Sequence, residues 1–229
     1  MKDWQAVDGL QIAIDGPSGS GKGTVAKMLA EETGLPVLDT GLLYRLVGSV
    51  ALTRGIALDD QSGLTEMIDG LLEAVEWTVG GISLQGENIT DKLRSEQVGE
   101  AASKVASQSV VREKLLGLQR QLAVAGCIMD GRDIGTVVLP DASAKFFLTA
   151  SVRERARRRW TQLKDEGGSS LEAVVVELKM RDQRDQERQH APLRQAEDAI
   201  TIDSTTMRVD DVVDRILGVL ERRRLITAI

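Results

Sequence analysis

A chain of 229 residues is long enough to bury a sizeable core as one domain, or as a core domain carrying an inserted subdomain, and 42% hydrophobic with 28% charged residues is ordinary for a soluble globular protein. A net charge of -6 argues against a dedicated nucleic-acid binder, which would carry a basic surface to release counterions from the phosphate backbone. The single cysteine, Cys127, excludes an internal disulfide and a multi-thiolate zinc site, and the single histidine, His190, leaves no histidine cluster.

The opening stretch "MKDWQAVDGLQIAI" has neither the apolar core nor the cleavage site of a signal peptide, and no apolar run approaches membrane-spanning length, so a cytoplasmic protein is expected. Its first nine residues read as a loose extension. Leu10 to Asp15 has the pattern of a buried parallel strand, and Val25, Met28 and Leu29 give helical spacing from Thr24 to Glu32, ended by Gly34 and Pro36. "PVLD" is a second strand, and Leu42, Leu43, Leu46, Val47 and Val50 form the apolar face of the next helix. Residues 60–125 break this rhythm: Val75, Trp77 and Val79 alternate with polar neighbours, Gly80-Gly81 turns, and Ile82 and Leu84 resume, so a hairpin is expected within an insertion. Helical spacing then runs from Leu93 to Ala123.

The alternation resumes with strands "CIMD" and "AKFFLTA", a helix "SVRERARRRWTQL" broken by Gly167 and Gly168, a helix "SLEAVVVELKMRDQRDQERQ", a strand "DAITIDS" and a closing helix "VDDVVDRILGVLERR". Five short apolar strands alternating with helices predict an α/β fold, a mostly parallel sheet covered on both faces that binds ligands beyond its strands' carboxyl ends. The expected organisation is one domain over 1–229, with its core at 10–59 and 126–229, the insertion at 60–125 and a lid region at 155–185.

Gly16, Pro17, Ser18, Gly19, Ser20, Gly21 and Lys22, set between a strand and a helix, form a P-loop. The glycines let backbone N–H groups turn towards phosphates, the helix N-terminus adds its positive end, and Lys22 reaches the β and γ phosphates. The hydroxyl that would hold Mg²⁺ does not directly follow the lysine: Gly23 stands there, and Thr24 supplies it. This "GKGT" resembles the P-loop of nucleoside monophosphate kinases. A GTPase switch is excluded by the absence of a guanine-reading Asn-Lys-x-Asp, since Asn88 is the only asparagine.

In "LDTGLLYR", Thr40 can cap a helix opened by Gly41, with Tyr44 one turn on and Arg45 on the same face as Gly41. Arg45 there either grips an anion with its planar fork or is a solvated surface residue. "MDGRDIG" crowds Asp130, Arg132 and Asp133 at a strand's carboxyl end, as a site or as a salt-bridged turn. In "RDQRDQERQHAPL", Arg181, Arg184, Asp185 and Arg188 fall at i, i+3, i+4 and i+7 on one helical face, as a phosphoryl-binding cluster or a self-paired solvated surface. Arg155, Arg158 and Arg159 repeat the spacing on the preceding helix, and "KDEGGSS" between the two could hinge a lid.

In this order and over almost the whole chain, "GPSGSGKGT", "LDTGLLYR", "DGRDIGT", "RDQRDQER" followed by "APL", and "IDSTTM" resemble the bacterial cytidylate kinases. The resemblance implies a P-loop kinase core, a monophosphate-binding insertion with a small antiparallel sheet, and a short helical lid. It implies in-line transfer of the γ-phosphoryl group of ATP to CMP or dCMP, with Mg²⁺, in pyrimidine nucleotide metabolism. By position, it makes Arg45, Arg132 and Arg188 acceptor-phosphate ligands, Thr40, Arg112 and Asp133 cytosine contacts, and Ser103, Arg181 and Asp185 sugar contacts. Tyr44 joins the acceptor side, and Arg155 and Arg158 close over ATP, with Lys22, Arg132 and Arg188 as the catalytic set. The expected partners are ATP and the monophosphate, with no nucleic acid and no membrane, for a monomer. His190 reads as a surface side chain. A kinase for AMP, UMP or shikimate, and an ATP-binding module without turnover, remain the competing readings; the acceptor-side arginines weigh against the latter.

Overall fold

Ile12, Ala13 and Ile14 have no polar atom to offer solvent on either face, and all three are fully buried in β2 (Gln11–Asp15) at the centre of a parallel sheet. The computed structural model describes residues 4–78, 81–163 and 170–229. The five-stranded sheet has the order β3 (Val37–Asp39), β7 (Cys127–Gly131), β2, β8 (Ala144–Thr149), β9 (Ile200–Asp203). Its registers pair Asp15 with Gly131, Ile14 with Phe146 and Thr149 with Asp203, so strand ends that carry polar loops emerge at the same level. Phe146, fully buried, anchors the interior between them.

Two compact units divide the chain: Met1–Pro36 with Ala125–Ile229, and Val37–Val124. The second begins earlier than the insertion expected at residue 60. The reason is α2 (Thr40–Arg54), whose Leu42, Leu43, Leu46, Val47 and Ala51 join one apolar cluster with Leu64, Ile68, Val105, Val111 and Leu115. Gly48 of α2 lets it approach the neighbouring α4 (Glu96–Val105) closely: a methyl there would lie 2.9 Å from the Ala102 amide nitrogen.

The second unit also holds α3 (Gln61–Ala74), which the sequence reading passed over although Leu64, Met67, Ile68 and Leu71 have helical spacing; Asp60 caps it by accepting from the Gly63 N–H. The hairpin strands are β4 (Val75–Thr78) and β5 (Gly81–Leu84), joined by a third strand, β6 (Glu87–Asn88). Val79 and Gly80 of the expected turn, and the side chain of Trp77, lie outside the described residues. The single helical run expected from Leu93 to Ala123 is a short 3-10 turn at Asp91–Arg94, α4, and α5 (Ser109–Leu122). The break has a local cause: the Ser107 hydroxyl donates to the Lys104 carbonyl at 2.6 Å, and Gln108 is extended.

In the first unit, α1 (Lys22–Thr33) follows the glycine loop, α6 (Val152–Leu163) and α7 (Leu171–Glu187) share an apolar cluster of Ala156, Val174 and Leu178, and α8 (Val209–Arg222) closes the chain. Lys164 to Ser169, which carry the expected helix break and most of the expected hinge, lie outside the described residues. The loose N-terminal extension is not found from residue 4 onward. β1 (Trp4–Ala6) pairs antiparallel with β10 (Ile226–Ala228), and Trp4 is buried.

Candidate active site

The turn out of β2 has no room for a side chain at its first position. A Cβ on Gly16 would sit 2.0 Å from the Leu148 carbonyl oxygen of β8, so only glycine lets the loop fold back along the sheet edge. Gly21, at φ +96°, then opens α1, whose first turn carries no acidic residue, leaving its positive end for an anion. Lys22 is buried, and its ammonium donates to the Gly16 and Pro17 carbonyls at 2.9 and 3.0 Å, spanning the loop.

From outside, α6 holds the same loop by its carbonyls. Arg155 is buried; it donates to the Ser18 carbonyl at 3.0 Å and to the Ala150 carbonyl at 3.0 Å, and grips Asp182 of α7 with both terminal nitrogens at 2.6 and 3.1 Å. Arg158 donates to the Ser20 carbonyl at 3.3 Å, to the Ser204 carbonyl at 2.6 Å and hydroxyl at 3.1 Å, and to Glu154 at 2.9 Å. The Arg157 hydrogen bond, reinforced by Arg158, outweighs desolvation and holds the Glu154 carboxyl at about 2. The Ser204 hydroxyl, just past β9, has its one proton between the Ser20 and Thr149 carbonyls, which lie 3.2 and 3.1 Å from its oxygen. Asp182 and Ser204 were missed as individual residues, although both stand inside motifs the sequence made conspicuous.

At the end of β7 lies a cluster of arginines and carboxylates. Arg132 donates from Nε to Asp185 at 2.9 Å, and Arg188 donates to Asp133 at 3.2 Å and to the Ala191 carbonyl at 2.6 Å. Both ion pairs are largely buried. Burial alone would raise the Asp185 pKa, but the charges of Arg132, Arg181 and Arg188 outweigh it and hold the carboxyl below its ordinary value. The structure therefore gathers Arg132, Arg181 and Arg188 around the Asp185 carboxylate. The helix expected to run through Arg188 stops one residue short of it: α7 ends at Glu187, and Arg188 is its extended C-terminal cap. The chain turns there because Pro192 cannot continue a helix and the Leu193 N–H returns to the Asp185 carbonyl at 2.7 Å.

Thr40, Tyr44, Arg45, Ser103 and Arg112 all belong to the second unit. Thr40 is the first residue of α2; Asp39 occupies the cap position, so the expected capping by Thr40 is not found. Arg45 is half-buried, donating to the Leu93 and Ser95 carbonyls at 2.7 and 3.2 Å, with Gly99 leaving space beside its guanidinium. That excludes a loose surface side chain. Arg112 is buried with its guanidinium 5.5 Å from the Tyr44 ring centroid, a cation–π pair. Thr40 and Ser103 are buried as well.

Asp130 and Thr24 carry oxygen donors of the hard kind that suits Mg²⁺, and a Cβ on Gly23, beside Thr24, would lie 3.8 Å from Asp130 Oδ2. Among the described residues no group of three or more His, Cys, Asp or Glu could hold a metal ion.

The family model described as cytidylate kinase matches residues 12–222. A cytidylate kinase of Pseudomonas aeruginosa is 47% identical over 218 residues, covering 93% of this chain and 95% of its own. That of Geobacter sulfurreducens is 43% identical over 223 residues, 96% of both chains. A solved structure of an uncharacterized protein from Eubacterium ventriosum shares the fold at TM-score 0.51 and 17% identity, covering 93% of this chain and 98% of its own. A match that begins in β2, ends in α8 and includes the glycine loop and both arginine-carboxylate pairs shows that the chain belongs to the cytidylate kinase family.

Proposed function

We propose that this chain transfers the γ-phosphoryl group of ATP to CMP or dCMP, releasing ADP and the cytidine diphosphate, as a monomer in the cytoplasm. The observation that carries the reading is the register of β2 on β7: Asp15 stands opposite Gly131, so the phosphate loop and the segment bearing Arg132 and Asp133 leave adjacent strands at one level. Donor phosphates and an acceptor phosphate held at those two ends come within reach of an in-line displacement.

Lys22 neutralises the β and γ phosphates, while the loop amides and the end of α1 bind their oxygens. Arg155 and Arg158 stiffen that loop through the Ser18 and Ser20 carbonyls and face the ATP side. Arg132 and Arg188, pre-oriented by Asp185 and Asp133, neutralise the charge spread over the transferring group and grip the acceptor phosphate, with Arg45 as a further ligand. Asp133 accepts from the exocyclic amine of cytosine and Arg112 donates to its ring acceptors, with Thr40 completing the base contacts and Tyr44 on the acceptor side. Asp185, Arg181 and Ser103 serve the sugar. Thr24 and Asp130 would hold Mg²⁺, which supplies charge neutralisation to the phosphates. The acceptor is already a phosphate oxyanion, so no side chain has to remove a proton.

Among the described residues no helix is long and apolar enough to cross a membrane, and burial pushes the Cys127 thiol up to about 12, which leaves it inert. The test is a coupled ADP-release assay with CMP, dCMP, UMP, AMP and GMP. Turnover fastest with CMP or dCMP is expected; turnover fastest with UMP or AMP would overturn the acceptor assignment.

A further inference from the structure

Asp15 is the last residue of β2, immediately before the phosphate loop, and only 3% exposed. Each of its carboxylate oxygens accepts one main-chain N–H from the segment after β7: Oδ1 from Ile134 at 2.8 Å, and Oδ2 from Gly135 at 2.7 Å. Those two amides begin a rare π-helical turn, Ile134–Val138, that starts directly after Asp133. Asp133 in turn pairs with Arg188, and Arg132 precedes it.

We propose that Asp15 is a positioning residue for the acceptor side: it fixes the turn that aims Arg132 and Asp133 without itself contacting the nucleotide. This rests on Arg132 and Asp133 serving the acceptor, as proposed above. The chemistry explains why a carboxylate stands here. Two parallel N–H donors need two acceptor oxygens on one rigid group, which an ionised carboxyl supplies at hydrogen-bond length from a single short side chain. An asparagine would turn its NH₂ towards one of the two amides and leave that buried donor without an acceptor. The surroundings are crowded: a Cβ on Gly135 would lie 3.4 Å from Asp15 Oδ2 and 3.1 Å from the Lys145 stem, so the turn has no slack in which to re-form these bonds. Burial pushes the Asp15 pKa up to about 6 with a smaller push from Asp133, against the pull of the two amides and of Lys22; the carboxylate is thus ionised near neutral pH despite its burial.

The experiment is Asp15→Asn, close to isosteric, with KM measured separately for CMP and for ATP. Loss of one buried hydrogen bond at the turn raises the KM for CMP about tenfold and leaves that for ATP within about twofold. Equal rises for both substrates, or none for CMP, overturn the proposal. Asp133→Ala run alongside separates the two readings: an unchanged KM for CMP there overturns the acceptor assignment itself, whereas a raised one there with an unchanged one in Asp15→Asn overturns only the role of Asp15. Amide exchange in the unaltered protein adds an arm that needs no variant. The Ile134 and Gly135 amides are expected to be protected, and exchange at the rate of exposed loop amides would overturn the tether.

Discussion

Replacing Asp185 with asparagine keeps the shape at the centre of the arginine cluster and removes its charge. Arg132, Arg181 and Arg188 all act on this carboxylate, which is 6% exposed, while Arg132 is 20% exposed. Taking one partner from a fully buried pair costs about 3–5 kcal/mol, and the partial exposure of Arg132 lets water take up some of the charge, so about 3 kcal/mol of destabilisation is expected. For a chain of 229 residues that lowers Tm by about 9 °C. The linkage has a definite sign. Asp185 has a folded-state pKa below its unfolded value, so its contribution is complete above the unfolded carboxylate range and is lost as pH falls through the folded value; the gap between parent and variant narrows in acid, below about pH 4. Urea unfolding across pH measures this, and steady-state kinetics add a KM for CMP raised about tenfold through the lost sugar contact. Stability within about 0.5 kcal/mol of the parent at neutral pH, with an unchanged KM for CMP, would refute the reasoning.

Lys22→Ala removes the cation that spans the loop, and kcat is expected to fall about 1000-fold in the ADP-release assay; a rate near that of the parent would exclude the P-loop from the chemistry. Asp133→Ala lowers the preference for CMP over UMP about tenfold, and an unaltered ratio would remove Asp133 from base recognition. Trp4→Ala empties a buried site in β1 and lowers stability by about 3 kcal/mol with kcat intact; unchanged stability in urea would mean that the β1–β10 pairing does not hold the fold.

The parts of this molecule legible in the sequence are those whose signal is local. Uninterrupted apolar runs such as Ile12–Ile14 and Phe146–Leu148 announce buried parallel strands, and the glycine spacing announces the turn between β2 and α1. Apart from α3 and the break before α5, whose signals are local, what escaped depends on partners far away in the chain. β1 is only three residues long and acquires its identity from Ile226–Ala228 at the other end, and nothing in "WQA" signals that pairing. The Asp15 carboxylate looks like an ordinary strand terminus until Ile134 and Gly135, more than a hundred residues on, deliver their amides to it. The arginines were visible as types and spacings, but what each one grips was not. Arg155 reads as a charge that closes over ATP, and the sequence does not tell that Ser18 and Asp182 hold it buried against the loop. The earlier start of the second unit follows from packing of α2, which no spacing within 37–59 reveals.

In the proposed reaction the phosphate loop and the arginine-bearing segment beside it serve one transfer onto a cytidine monophosphate. The most direct measurement is a ³¹P NMR time course of ATP and Mg²⁺ with an equal mixture of CMP and UMP. ADP equal to the sum of CDP and UDP, with UDP well behind CDP and no build-up of inorganic phosphate, is predicted. Inorganic phosphate without CDP, or UDP ahead of CDP, would contradict the account.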